Sequence, residues 1–247
     1  MARSLFSMTI PRSQRSCLSD KAILEHMKAG NLIIEPFKRE NLATSSYDVT
    51  LGEYFFRQEE PVGKATILNP YDEQCVRRIW STPEKAHSLQ WELEDRELDR
   101  KDVGKGIRLE DRVIFIKPHE TILGHTEEYI GGAKEITTMM KARSSLGRIG
   151  IEVCKCAGWG DVGYTNRWTM EITNNSPHYT IPLVVGRRVA QIIFFPTGPI
   201  LKQDYTKSGK YQSGTTLAQL QQDWKPDAMI PKMWKDREVT NIYEKDK

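Results

Sequence analysis

Apolar and polar residues alternate through much of this chain, in short runs separated by glycine, proline and asparagine. SYDVTLGEYFF (46–56), RVIFIKP (112–118), TILGHTEEYI (121–130), RWTMEITN (167–174), IPLVVG (181–186) and RVAQIIFFP (188–196) carry this pattern and are rich in β-branched and aromatic side chains. Alternation puts successive side chains on opposite faces of a strand, so the pattern predicts many short strands in a sandwich or distorted barrel. A helical period occurs near the start, where Ile23, Leu24 and Met27 share one face. Ser19 can cap that helix, Asp20 suits its first turn and Gly30 its end, which predicts a helix from about Asp20 to Ala29. NLIIEPF (31–37) reads as a short strand ended by Pro36, and Asn166 as a residue able to turn the chain.

Two regions break the β pattern. Residues 72–107 are densely charged and hold one helix-like stretch, LQWELEDREL, so they read as an insertion between strands. From Tyr205 the chain is polar, with Gly209 and Gly214, and reads as a mobile arm rather than core. The expected organisation is a disordered tail over 1–16, a β domain over 17–202 and a C-terminal arm with an extension over 203–247. The tail is basic and lacks the apolar stretch of a secretory signal, leaving a weak organelle address as the other reading.

Composition narrows the class. Of the 247 residues, 38% are hydrophobic and 28% charged, and no run approaches the roughly 20 apolar residues of a membrane span. A net charge of +3, spread along the chain, gives no reason to expect nucleic acid or a membrane as partner. Cys17, Cys75, Cys154 and Cys156 form no C-x-x-C pair and no disulfide framework, so a reducing, cytoplasmic compartment is expected.

Candidate chemistry concentrates in three consecutive segments. KARSSLGRIGI (141–151) places Arg143 and Arg148 around Ser144, Ser145 and Gly147. Guanidinium forks, hydroxyl donors and a glycine that admits close backbone approach suit phosphate oxygens, although an ordinary surface turn has the same composition. In AGWGDVGYTN (157–166), glycines bracket Asp161, and Tyr164 follows three residues later. Such a hairpin carboxylate can accept from a sugar hydroxyl beside an aromatic ring, or it can simply cap its turn. In RWTMEITN, Trp168, Met170 and Ile172 share one face and Thr169, Glu171 and Thr173 the other. A zinc-deaminase site would need H-x-E followed by P-C-x-x-C. His125-Thr126-Glu127 supplies the first half, but Cys154 and Cys156 are spaced C-x-C. In a strand those two thiols would face the same way, as small buried residues or a weak metal pair.

ARSSLGRIGI, AGWGDVGY and TMEITN, in this order, resemble the central block of dCTP deaminases and trimeric dUTPases. LSDKAILEHMKAGNLIIEPF and SYDVTLG near the start, and GRRVAQIIFFPTGPI and SGKYQSG near the end, extend the resemblance over roughly residues 17–216, apart from 72–107. The resemblance implies a mainly β, distorted barrel with jelly-roll-like sheets, a short N-terminal helix and a helical insertion. It implies a homotrimer with active sites between subunits, dCTP as substrate, Mg²⁺ carried on the triphosphate, and no zinc. Arg143, Ser144, Ser145, Gly147 and Arg148 would line the phosphate and water region, with Ser144 and Arg148 catalytic beside Glu171. Asp161 would hold the deoxyribose 3′-hydroxyl and Tyr164 would pack on the sugar. Thr169 and Met170 would flank the substrate, and Gln191 is common on the dUTPase side. Tyr205, Lys210 and Gln212 would close over the phosphates, with Tyr211 covering the site.

Glu171 separates the family's two chemistries. Deamination needs a group beside C4 of cytosine that takes a proton from water and then gives protons to N3 and the leaving amine. The family's deaminases carry Glu in the T-M-E position. The chain departs from the family pattern at Gly160, at Thr165-Asn166, at Cys154-Lys155-Cys156, and in lacking a second Gln near Gly214. The leading expectation is dCTP hydrolysis to dUTP and ammonia. The alternatives are a bifunctional enzyme that continues to dUMP and pyrophosphate, and a nucleotide-binding regulator on the same fold.

Overall fold

The computed structural model describes residues 16–245 apart from 64–65, 81, 202–203 and 213; nearly all of the expected N-terminal tail, and the start of the expected arm, lie outside them. Helix α1 (Asp20–Lys28) begins as its sequence suggests, the Ser19 hydroxyl accepting from the Ala22 N–H at 3.3 Å. Gly30 follows at φ +70°, where a β-carbon would be strained.

Among the described residues, thirteen strands fall into three antiparallel sheets. The largest joins β1 (Leu32–Glu35), β3 (Tyr54–Arg57), β4 (Glu84–Lys85), β7 (Thr121–Gly132), β9 (Ile151–Val153) and β11 (Thr165–Asn174), with β7 and β11 at its centre. A second sheet has the order β10 (Trp159–Gly160), β8 (Ile136–Ala142), β13 (Arg188–Pro196), β2 (Tyr47–Thr50). A third joins β12 (Ile181–Val184), β6 (Arg112–Ile116) and β5 (His87–Ser88). Their inward faces bury Ile23, Tyr47, Val49, Leu51, Ile122, Met170, Ile172 and Ile192 in one core. The fold is mainly β, as its alternation predicts, and forms a distorted barrel of separate sheets.

The run SYDVTLGEYFF is not one strand. It leaves β13's sheet after β2 and joins β7 as β3. The crossing falls at Gly52, whose N–H donates to the His125 carbonyl at 2.7 Å and where an added β-carbon would stand 2.0 Å from the His125 ring. Alternation cannot register a change of sheet, because both halves stay buried.

The insertion is stitched into the sheets rather than appended. Besides β4 and β5 it supplies α2 (Glu73–Ile79), α3 (Leu89–Asp95) and α4 (Arg100–Val103). The polar tail also differs from its expectation as an arm without core. After α5 (Ser144–Arg148) and α6 (Tyr205–Ser208), helices α7 (Leu217–Asp223) and α8 (Arg237–Lys245) bracket a turn at Pro226–Met229. Leu220, Met229, Ile230 and Val239 are buried. These apolar residues are too widely spaced among polar ones to show a helical or strand period.

Trp224 fastens this tail to β7. Its ring lies 4.6 Å from that of His125 and beneath the Arg167 guanidinium at 4.7 Å. His125 is 1% exposed, its Nε2 accepts from the Tyr54 N–H at 3.2 Å, and its Nδ1 lies 2.8 Å from the Thr126 carbonyl. A backbone N–H only donates, so the ring is neutral with its proton on Nδ1. Burial, reinforced by the Arg167 charge, lowers its pKa to about 4. Stability from the neutral ring is therefore full above the unfolded histidine value near 6.5 and is lost as pH falls towards 4. The urea midpoint should drop from pH 7 to pH 5 more steeply in the wild type than in His125→Gln; equal slopes would reject this account.

Candidate active site

The expected hairpin is instead a tight turn between β10 and β11, which pair in different sheets, and glycine shapes it. The Tyr164 N–H donates to the Asp161 carbonyl at 3.0 Å, and Gly163 takes φ +92° at the third position of that turn, which only glycine adopts without strain. Gly160 departs from the family pattern for a packing reason. A β-carbon there would fall 2.5 Å from the Trp168 ring and 2.4 Å from the Thr138 hydroxyl. The large indole of β11 occupies the volume that an apolar side chain at position 160 would need.

Trp168 is set by a bulge. The pairing of β11 with β7 shifts between Arg167 and Thr169, and the Trp168 N–H donates to the Thr126 hydroxyl at 2.9 Å. Its indole N–H donates to the Ile130 carbonyl at 2.8 Å, and Tyr164 packs edge-on against it at 5.2 Å. Past the bulge the register is regular, with Thr169 opposite His125 and Glu171 opposite Leu123.

A cavity of about 510 Å³ opens on this face. Of the residues singled out from sequence, Asp161, Tyr164, Thr169, Glu171 and Tyr205 line it, together with Tyr211. Glu171 is its chemical centre. Oε2 is buried with no hydrogen-bond partner among the described residues. Burial pushes the Glu171 carboxyl above the usual glutamate range, while its own backbone N–H and the Lys155 ammonium draw it partly back. The Tyr164 and Tyr205 hydroxyls are likewise raised by burial.

The arm residues hold the turn from outside. Gln212 Oε1 accepts from the Thr165 N–H at 2.8 Å, and its amide nitrogen donates to the Gly163 carbonyl at 3.3 Å. Asn166, expected at a turn, lies inside β11 and donates from its side chain to the Tyr211 carbonyl at 2.8 Å. Lys210 does not line this cavity; it is ion-paired with Asp236. Sequence reasoning missed Trp80, Thr121, Leu123, Trp159, Met229 and Pro231, and passed over Lys155 and Trp168 as site residues, although all of them line the cavity. Trp159 and Trp168 fall inside AGWGDVGYTN and RWTMEITN, and Lys155 lies in the Cys154-Lys155-Cys156 stretch just before them; Trp80, Met229 and Pro231 carry no motif signal.

Other expected site residues stand elsewhere in the single chain. Arg143, Ser144, Ser145, Gly147 and Arg148 are not on the cavity wall; Ser144 to Arg148 form α5, beyond the end of β8 in the second sheet. Arg143 ion-pairs with Asp48 at 3.4 Å, and Arg188 shares that carboxylate at 3.0 Å. Gln191 is paired inside β13 with Lys141 and Asp48. Met170 is fully buried in the main core, on the face of β11 opposite Glu171. Cys154 and Cys156 do not face the same way, because β9 ends at Val153 and positive φ at Cys154 and Lys155 turns the chain. Cys154 is buried against Met140 and Cys156 is exposed.

A mainly antiparallel β domain, with a glycine-bracketed Asp–Tyr turn on a carboxylate-lined cavity, fits the mainly β architecture implied by the sequence resemblance. The model of the family described as dCTP deaminase-like matches residues 17–197, and the chain belongs to that family. A Nanoarchaeum equitans protein named "dCTP deaminase, dUMP-forming" is 28% identical over 213 residues, 84% of this chain and 98% of its own. A Hydrogenobaculum protein of the same name is 30% identical over 207 residues, 84% of this chain and 97% of its own. The crystal structure of 2′-deoxycytidine 5′-triphosphate deaminase from Agrobacterium tumefaciens aligns with a TM-score of 0.47 at 18% identity. That alignment covers 73% of this chain and 48% of the other.

A raised carboxyl pKa favours the fold below the ordinary glutamate value, and that contribution is lost as pH rises through the raised one. Glu171→Gln should therefore raise the melting temperature at pH 7.5 by about 2–4 °C for each kcal/mol relieved. The gain should fade towards pH 4. An unchanged or lower melting temperature at pH 7.5 would contradict the burial of this charge.

Proposed function

We propose that the protein hydrolyses dCTP to dUMP, ammonia and pyrophosphate. The observation that carries this reading is one cavity lined by both Asp161 and Glu171, the two carboxylates that the two hydrolyses need. The names of the relatives favour this bifunctional route over release of dUTP.

In the deamination, Glu171 takes a proton from water as the oxygen bonds to C4 of cytosine and delivers it to N3; it then takes the proton of the new 4-hydroxyl and delivers that to the exocyclic nitrogen. The C4–N4 bond then breaks, ammonia leaves and a carbonyl forms. The unpaired Oε2 suits this work, since no protein donor competes for it. In the second hydrolysis, water bonds to the α-phosphorus as the α–β bridging bond breaks and pyrophosphate leaves. Asp161 is the base near that water. Tyr164 packs on the deoxyribose. Mg²⁺ would enter with the nucleotide, on the triphosphate oxygens, as the family resemblance implies.

The single chain leaves Ser144 and Arg148 off the cavity that holds Glu171. A homotrimer resolves this by pairing the cavity of one subunit with α5 of its neighbour. Arg143, held by Asp48, would face the phosphates there. Lys210 would reach them by exchanging Asp236 for phosphate.

Purified protein incubated with dCTP and Mg²⁺ should yield dUMP and pyrophosphate; accumulation of dUTP alone would restore the simpler deaminase, and no product would reject both. Glu171→Gln should lose about 10²–10⁴-fold in ammonia release while retaining dCTP binding; near wild-type turnover would reject its role. Glu171→Gln and Arg148→Ala should each be inactive alone. Co-expressed at equal levels they should recover about one quarter of wild-type sites, the random fraction joining two intact halves. No recovery would place both residues in one subunit's site.

A further inference from the structure

Glu171 stands opposite Leu123 in the β7–β11 pair, and Leu123 is 4% exposed although it lies on the face that carries polar side chains in β11. Its cover is an apolar cluster separate from the main core: Phe56, Val76, Trp80, Met229 and Ile230, with Ile79 and Trp234 packed against them. Val76, Ile79 and Trp80 come from α2 and the residue after it, inside the insertion. Met229 and Ile230 come from the turn after α7, beyond the family match that ends at 197. Arg77 ties the two segments, pairing with Glu73 at 2.9 Å and Asp227 at 3.1 Å. Beside them the Lys232 N–H donates to the Tyr211 hydroxyl at 3.1 Å, and Tyr211 is itself on the cavity wall.

We propose that Trp80, Met229 and Pro231, with Leu123, form the wall against the C5–C6 edge of the pyrimidine, so that the insertion and the C-terminal extension set the largest base accepted. The inference rests on the reading of cytosine as the reacting base. All four residues line the Glu171 cavity. A cytosine ring has a polar edge at O2, N3 and N4 and an apolar edge carrying only C–H at C5 and C6. A carboxylate serving C4 must lie beside the polar edge, and C5 is the ring atom adjacent to C4. An apolar surface next to that carboxylate, with no side-chain hydrogen-bond donor from Leu123, Met229 or Pro231, matches the C5–H edge of the ring. Residues beyond the family block thus act as specificity determinants and not as a surface appendage.

The test compares dCTP with 5-methyl-dCTP in the full-length protein, reading the ratio of their kcat/KM values. The wild type should favour dCTP. Met229→Ala and Pro231→Ala should each shift the ratio towards 5-methyl-dCTP, by about tenfold or more for Met229→Ala, the scale of one methylene in a hydrophobic pocket. Met229→Phe should raise KM for dCTP. Met233→Ala, in the same segment but off the cavity wall, should leave the ratio unchanged. Two variants on the wall keep the test alive if one fails to fold. Ratios unchanged in folded Met229→Ala and Pro231→Ala, with wild-type melting temperatures, would overturn the wall. A wild type that releases no ammonia would instead sink the deaminase reading, and the wall would then be judged by the same ratio in dissociation constants.

Discussion

The antiparallel pairing of β7 with β11 carries the rest of the structure. β7 runs from Thr121 to Gly132 and also receives β1 and β3, so four strands of the largest sheet take their register from one another. On one face of β11 this register buries Met170 and Ile172. On the other it sets Thr169 and Glu171 along a cavity. A slip of one residue would send Glu171 into the core and Met170 into the cavity. The bulge at Trp168 is tolerated because the Thr126 hydroxyl accepts the N–H that loses its regular partner.

Burying a carboxylate oxygen without a partner opposes folding, yet Glu171 keeps one. The chain reaches that state by converging three distant segments on the polar face of β11. The turn brings Asp161 and Tyr164, the insertion brings Trp80, and the extension brings Met229 and Pro231. The last two segments hold each other through apolar contact and the Arg77–Asp227 pair. The cavity's chemistry therefore depends on parts of the chain with no chemistry of their own.

Three cationic residues are paired with acids. Asp48 holds Arg143 and Arg188, and Asp236 holds Lys210. Such pairs keep long side chains ordered. Tyr211 lies between the Lys210 and Lys232 ammoniums at 5.7 and 5.4 Å, which couples the arm to the extension through one ring.

Local periodicity and short motifs determined a good deal. Alternation gave the mainly β class, Ser19 and Gly30 bounded the first helix, and the order of motifs pointed to the family that residues 17–197 match. Asp161, Tyr164, Thr169 and Glu171 were legible as near neighbours because each sits in a motif whose spacing is local, and they line one cavity. Tertiary structure decided what spacing does not encode. It placed Met170 in the core and α5 away from Glu171, because a strand's two faces are equivalent until something packs on one of them. It split the 46–56 run at Gly52, because both halves remain buried when the chain changes sheets. It brought Trp80 and Met229 to the cavity, because apolar residues scattered in polar sequence show no period and find their partners only across the folded chain.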